Sequence, residues 1–178
     1  MSDLRSKLNA RAEKATAHTA NAEEAASKYK EIALREYPRL VNELFQRTKA
    51  HLDGVKGLTL SSQEISETLT YQQGSTDTGF HQVTVGTVRV PVWGVSFFNR
   101  TIQFRPKGIG YFGVEGKIEV LTRGPNPYDK NPFDKDAVFI VRSGEDASTW
   151  KLAVLGQQSR LVELTDDLFR QKLEQVLL

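Results

Sequence analysis

The sequence predicts an α+β fold: an N-terminal helical arm and helix, a curved and mainly antiparallel β-sheet, and a C-terminal helix packed on that sheet. Two observations carry this expectation. Apolar residues recur at helical spacing from Tyr29 to Leu52 and again from Leu168 to Leu177. Between about Val55 and Leu164 the pattern changes to β-branched and aromatic residues broken by Gly and Pro. Helices at both ends with strands between them favour segregated α+β over alternating βαβ units. A chain of 178 residues suits one globular domain with an extension.

Residues 1–28 are the extension. Beyond Met1, Leu4 and Leu8, the only apolar residues there are alanines, from Ala10 to Ala26, in nearly a repeat of five, A-x-A-x-x. On a helix a step of five advances ~500°, so those alanines spiral around the surface and form no coiled-coil seam. Ala, Lys and Glu favour helix intrinsically. The expectation is a polar, Ala-rich helical arm or flexible extension with almost nothing to bury, and a single α+β domain over 29–178.

From Tyr29 a broad apolar face begins, through Ile32, Ala33, Tyr37, Leu40, Val41, Leu44, Phe45 and Leu52. Pro38 lies inside it and is expected to end or kink the helix, because it has no N–H for the preceding turn. It would then open a second helix running to Asp53, with Gly54 just past the end.

The strands come next. Thr70, Tyr71, Val83, Val85, Val88, Val90 and Val92 mark the first of them. Alternation slips phase at Gly86, which predicts a bulge there. Further strands are expected near 98–105, 109–114, 117–122, 137–142 and 150–155. At the end, Thr165 is the expected N-cap of a helix with Asp166 and Asp167 at its positive end and Lys172 later in it. Leu168, Phe169, Leu173, Val176 and Leu177 supply its buried stripe.

Within "KGIGYFGVEGK", residues 107–117, Gly108, Gly110 and Gly113 have the spacing of a dinucleotide fingerprint. That fingerprint needs a helix after the glycines to meet the pyrophosphate. Here Val114, Ile118 and Val120 alternate as a strand. A phosphate loop fails too, with Tyr111 at its leading glycine and Ile118 at its hydroxyl. The opening Lys107-Gly108-Ile109-Gly110-Tyr111 also matches an RNA-binding strand, but the helix that fold requires is missing. The remaining reading is structural: Pro106-Lys107-Gly108 turns the chain, and Gly110 and Gly113 permit twist, positive φ or close packing against a helix.

Charge excludes little. Lys+Arg number 24 and Asp+Glu 22, so no bulk attraction to nucleic acid or membrane exists. There is no cysteine, which removes disulfides and thiolate chemistry. No apolar run precedes Tyr29, so neither a signal peptide nor a membrane helix is expected, and the expected location is cytoplasmic. The tandem "NPYDKNPFDK" at 126–135 is expected to form surface turns in which Tyr128 or Phe133 anchors the loop. Its Asp129, Asn131, Asp134 and Asp136 lack the glycine and glutamate of a calcium loop.

Catalytic motifs are missing. His18 lies in the arm, His51 near a helix end, and His81 before a strand with no nucleophile motif beside it. Gly94-Val95-Ser96 lacks the second glycine of a nucleophile elbow, and no zinc spacing occurs. One local bias stands out: no acidic residue lies between Asp77 and Glu115, while Arg89, Arg100, Arg105 and Lys107 are interleaved with aromatics. Such a mixture suits single-stranded nucleic acid, with Phe98 and Tyr111 as stacking rings.

The sequence therefore points first to a non-catalytic protein-binding subunit or adaptor, engaging a partner or a second copy through its helical arm and sheet surface. The alternative is a single-stranded nucleic-acid-binding protein using the basic and aromatic 80–112 surface. An enzyme with a site assembled from distant residues comes third. No cofactor, metal or membrane partner is expected.

Overall fold

A computed structural model describes residues 2–75, 79–111, 114–126, 131–133, 138–143, 146–154 and 160–178. Helix α1 runs from Ser2 to Leu52. Strands follow as β1 (Leu58–Ser75), β2 (Gly79–Phe97), β3 (Arg100–Lys107), β4 (Ile109–Tyr111), β5 (Val114–Arg123), β6 (Val138–Ser143), β7 (Asp146–Val154) and β8 (Arg160–Glu163). Helix α2 spans Asp166–Leu177 and closes the chain. This is the expected α+β class.

The eight strands form one curved, mostly antiparallel sheet in the order β3-β2-β1-β4-β5-β6-β7-β8, with β3 also paired to β5. The single parallel pairing joins β1 to β4. Its cause is the long β1–β2 hairpin. Two-stranded ribbons twist strongly, so the segment from Arg100 to Tyr111 meets β2 first and β1 afterwards. Residues 100–104 pair with β2, and residues 109–111 pair with Thr70–Gln72 of β1. The change of partner occurs at Gly108. A Cβ there would strike Leu69 and sit 2.9 Å from the Thr68 carbonyl oxygen.

That geometry corrects one expectation. Pro106 and Lys107 do not turn the chain; they continue β3, opposite Ile118 and Lys117 of β5. Proline fits because the pairing of β3 with β2 ends at Phe104, so at Pro106 the strand is laddered to β5 alone. The bulge expected at Gly86 is present, with the adjacent Val85 as the extra residue where Leu69 faces Gly86 and Thr70 faces Thr84.

The helix end allowed at Pro38 is the second correction. Helix α1 carries the proline in its interior and does not end there. An interior proline costs ~3 kcal/mol, yet Ala33 and Tyr37 before it and Leu40, Val41 and Leu44 after it are all buried in the same core. Packing on both sides outweighs the lost hydrogen bond. The helix then ends near the expected place, and Gly54 takes the left-handed conformation (φ 73°) favoured just past a C-terminus.

Helix α1 lies along β2 and runs in the same direction. His18 meets His81, Leu34 meets Gly86, and Thr48 accepts a hydrogen bond from Trp93 Nε1 at 3.2 Å. From His18 to Thr48 the helix advances ~45 Å at 1.5 Å per residue. From His81 to Trp93 the strand advances ~40 Å. The two elements stay in step over that whole length.

The glycine-rich segment explains how closely they approach. A Cβ on Gly110 would collide with the Tyr29 ring, one on Gly116 with the Tyr37 ring, and one on Gly86 would lie 2.7 Å from Leu34 Cδ2. Three glycines on three strands are sockets for three side chains of one helix. Gly110 thus packs against a helix, as one reading of the sequence had it. Its φ is not positive, so close approach and not backbone conformation demands glycine. Gly113 lies outside the described residues.

At the other end the core is aromatic. Trp93 stacks on Phe104 with centroids 4.8 Å apart, and Phe104, Phe133 and Phe169 pack edge to face. Phe133 is the loop anchor expected from the tandem repeat, fully buried and held by an Asn131 turn; Tyr128 lies outside the described residues. Helix α2 behaves as the sequence predicts. Thr165 caps it by accepting from the Leu168 N–H, and Phe169, Leu173, Val176 and Leu177 are buried.

Candidate functional site

The stripe that α1 buries does not stop where the sheet stops. At ~100° per residue, Tyr29, Ala26, Ala22, His18 and Ala15 lie within about 60° of the mean direction of Leu8 and Leu4, with His18 at the edge of that stripe. Ala22 and Ala26 are buried, and Ala15 and His18 are half-buried. Every residue from Leu4 to Lys14 is exposed, Leu4 by 67% and Leu8 by 58%. Roughly 20 Å of helix therefore precedes the buried stretch of α1, with two exposed leucines on the packing side.

The sequence held the signal for this. Stepping back from Ala33 and Tyr29 in threes and fours reaches Leu8 and Leu4. The alanine repeat of five masks it. The packed part of α1 accordingly begins near Ala15, inside the segment expected to be a solvated arm.

Where arm and hairpin part company, polar atoms are shut in without partners. His18 and His81 have ring centroids 5.0 Å apart at 46°. His18 Nδ1, His81 Nε2 and Gln73 Oε1 are each buried without a hydrogen bond. Gln73 faces His81 directly across the β1–β2 ladder, which puts the two side chains on one face. An unpaired buried polar atom costs about 1–3 kcal/mol, so this cluster has no evident structural purpose.

The opposite end of the body is apolar. Phe98 and Asn99 form the two-residue turn between β2 and β3. Phe98 has a positive φ of 51°, uncommon for a bulky residue, and is 84% exposed. Close by, an apolar cleft is lined by Leu52, Val55, Leu58, Phe97, Leu173 and Leu177. Val55 and Leu178 are further exposed apolar residues at this end.

The basic and aromatic residues singled out in the sequence do not converge. Arg89 pairs with Glu64 at 3.5 Å in the middle of the hairpin. Arg100 donates to the Val176 carbonyl at 3.2 Å, closing the C-terminus of α2. Arg105 is exposed on the outer face of β3 opposite Glu119 of β5, and Lys107 lies two residues on, opposite Lys117. Phe98 and Arg100 lie together at one end of β3, and Arg105 and Lys107 at the other. The backbone of Tyr111 is in β4, and its side chain lies outside the described residues.

Titratable groups elsewhere are engaged in packing. Asp166 takes His51 Nε2 at 3.0 Å and Arg47 Nε at 3.2 Å. Burial opposes its ionisation, but those two partners together hold its carboxyl below the ordinary value. Arg47 also donates to the Leu164 carbonyl and lies over the Phe169 ring. Burial, with lesser contributions from Glu67 and Tyr29, pushes the Tyr37 hydroxyl upward, and that hydroxyl has no partner. Among the described residues no three His, Asp or Glu side chains gather as a metal-binding group, and no helix is long and apolar enough to cross a membrane.

No protein-family model matches the chain, and no curated protein or solved structure matches it significantly.

Proposed function

We propose that the chain is a non-catalytic protein-binding subunit or adaptor, cytoplasmic, that engages a partner or a second copy through its helical arm and sheet surface. The observation that carries this reading is the continuation of the packing stripe to Leu8 and Leu4, both exposed. Leucines on the packing side of a helix that has run out of sheet are what a helix-docking partner uses as anchors. The exposed Phe98 on its strained turn supports the same reading, since aromatic side chains dominate interface energetics.

The test is a variant carrying Leu4→Glu and Leu8→Glu. Light scattering across a concentration series reads self-association, and a photo-crosslinker at Ala12 in native cells reads a different partner. The expected result is loss of the higher mass or of the crosslinked band, with thermal unfolding unchanged. Association that survives both substitutions overturns the proposal.

Nucleic-acid binding ranks below, because Arg100 is hydrogen-bonded to the end of α2 and Arg89 lies apart from it in the middle of the hairpin. The wild type is expected to bind mixed-sequence single-stranded DNA or RNA no tighter than the micromolar range at physiological salt. Sub-micromolar binding with a log–log salt slope near about −3, from ~0.7 per phosphate contact over ~4 contacts, would reverse the ranking if Arg105→Ala removes it.

A further inference from the structure

The cluster where the arm meets the hairpin carries an inference independent of any protein partner. We infer that His18 and His81, assisted by the Gln73 side-chain carbonyl, form a binding site for a divalent transition cation of the zinc, nickel and copper class, which fastens the arm to the hairpin.

The argument begins with donor chemistry. A neutral imidazole nitrogen is the commonest protein ligand for such ions. Here two imidazoles, one on α1 and one on β2, each hold a ring nitrogen away from solvent with no hydrogen-bond partner. The Gln73 carbonyl oxygen, across the ladder from His81, is in the same condition. Two imidazoles thus meet across α1 and β2, and a third unpartnered oxygen stands opposite one of them on β1. No cation-bearing side chain is hydrogen-bonded to any of them.

Distance supports the assignment. With metal–nitrogen bonds of ~2.0–2.1 Å and ~1.1 Å from each nitrogen to its ring centroid, two imidazoles on a tetrahedral ion have centroids ~5.2 Å apart. The observed separation is 5.0 Å. At that centroid separation the two rings can share one ion without α1 and β2 moving closer together or further apart. Two imidazoles and an amide oxygen leave the coordination sphere to be completed by water, so the affinity is that of a regulatory ion and not of a permanent structural zinc.

Position gives the site a consequence. His18 stands on the stripe between Ala15 and Ala22, where packing gives way to the exposed arm. An ion bound by both α1 and β2 favours the docked arm over the detached one by mass action.

Isothermal titration of the intact chain with ZnCl2 and with NiCl2, and with MgCl2 as the hard-cation control, tests the site. The expected result is one saturable transition-metal site per chain, no magnesium binding, and affinity weakened ~10-fold or more by His18→Ala or by His81→Ala. His51→Ala, which removes the only other histidine, is expected to leave the affinity unchanged. Hydrogen exchange supplies a second measurement that does not depend on the folding of the β2 variant. Zinc should slow exchange of residues 10–22 in the wild type and not in His18→Ala. Absence of saturable binding, or binding that survives His18→Ala but is lost in His51→Ala, overturns the inference.

Discussion

From Tyr29 onward, helix α1 is held by large side chains in fitted sockets: Tyr29 over Gly110, Leu34 over Gly86 and Tyr37 over Gly116. From Ala15 to Ala26 the same stripe touches the hairpin through alanines and one histidine. Before Ala15 the described residues of the helix are exposed. The first region gains stability from shape, because rings fill space that glycine leaves open. The second gains closeness but little area, since alanine has one methyl to bury. The difference teaches where the molecule can change. Its inner helix is fixed by the sheet, while its outer helix is secured by little and is free to be secured by something else.

The strongest way to break that comparison is at Tyr37. Tyr37→Ala is expected to destabilise the body by about 3–5 kcal/mol, since it empties a fully buried site. Tyr37→Phe tests the opposite direction. It keeps the ring and removes a hydroxyl that is buried without a partner, so stability is expected to rise by up to about 1 kcal/mol. Urea denaturation of both variants decides; a loss in Tyr37→Phe would mean that the hydroxyl has a partner.

The sockets themselves come next. Gly110→Ala is expected to cost about 1–3 kcal/mol by overpacking the Tyr29 ring. Because the cause is contact, combining it with Tyr29→Ala should give less than the sum of the two losses. Strictly additive losses would show that backbone conformation, and not the ring, demands glycine. Ala22→Leu extends the idea outward, with an expected loss in the same range, because Ala22 is already 1% exposed.

These features differ in how much of them the sequence disclosed. Helix α2 was fully legible, because Thr165, the two aspartates and the stripe from Leu168 to Leu177 lie within one short segment. Gly110 was legible as a close-packing position, but its partner Tyr29 was not, since nothing local names a contact between distant segments. Strands β1 and β2 proved longer than their apolar residues suggested. The solvent-facing side of β1 carries Ser61, Gln63 and other polar residues, which hide its period. Pro38 misled because the rule applied to it is local and the packing that overrides it is not. The meeting of His18 with His81 exists only once the helix lies along the hairpin, so no spacing announces it.

A smaller effect sharpens the comparison at the far end of the inner helix, where Asp166 joins α2 to α1. Its carboxyl is held below the ordinary value, near ~3.9 for an unfolded chain, by His51 and Arg47 against the opposing effect of burial. A depressed folded-state value means that the contribution is present above ~3.9 and lost as pH falls through the lower folded value. The aspartate side chain is 69% exposed, so the contribution is that of a surface pair, about 0.2–1 kcal/mol. Asp166→Asn should lower stability by that amount near neutrality and make no difference at pH values below both. A deficit that persists in strong acid would refute the electrostatic account.

The smallest expected effect belongs to the outer arm, and its smallness is the point. Leu4→Ala and Leu8→Ala remove large apolar side chains from the packing side of α1, a change that inside a core costs several kcal/mol. Both side chains are more than half exposed, so each substitution is expected to shift the unfolding free energy by no more than about 0.5 kcal/mol. Deleting residues 2–14 should do the same, whereas deleting 2–28 also removes Ala22 and Ala26 and should lower the unfolding midpoint. Thermal denaturation of the two truncations, read against the full chain, distinguishes a boundary near Ala15 from one near Tyr29. If the shorter deletion is already destabilising at low protein concentration, the leucines pack within their own chain. If it destabilises only at concentrations where the full chain self-associates, the stripe is covered by a second copy, and the contrast between inner and outer helix becomes a contrast between two interfaces.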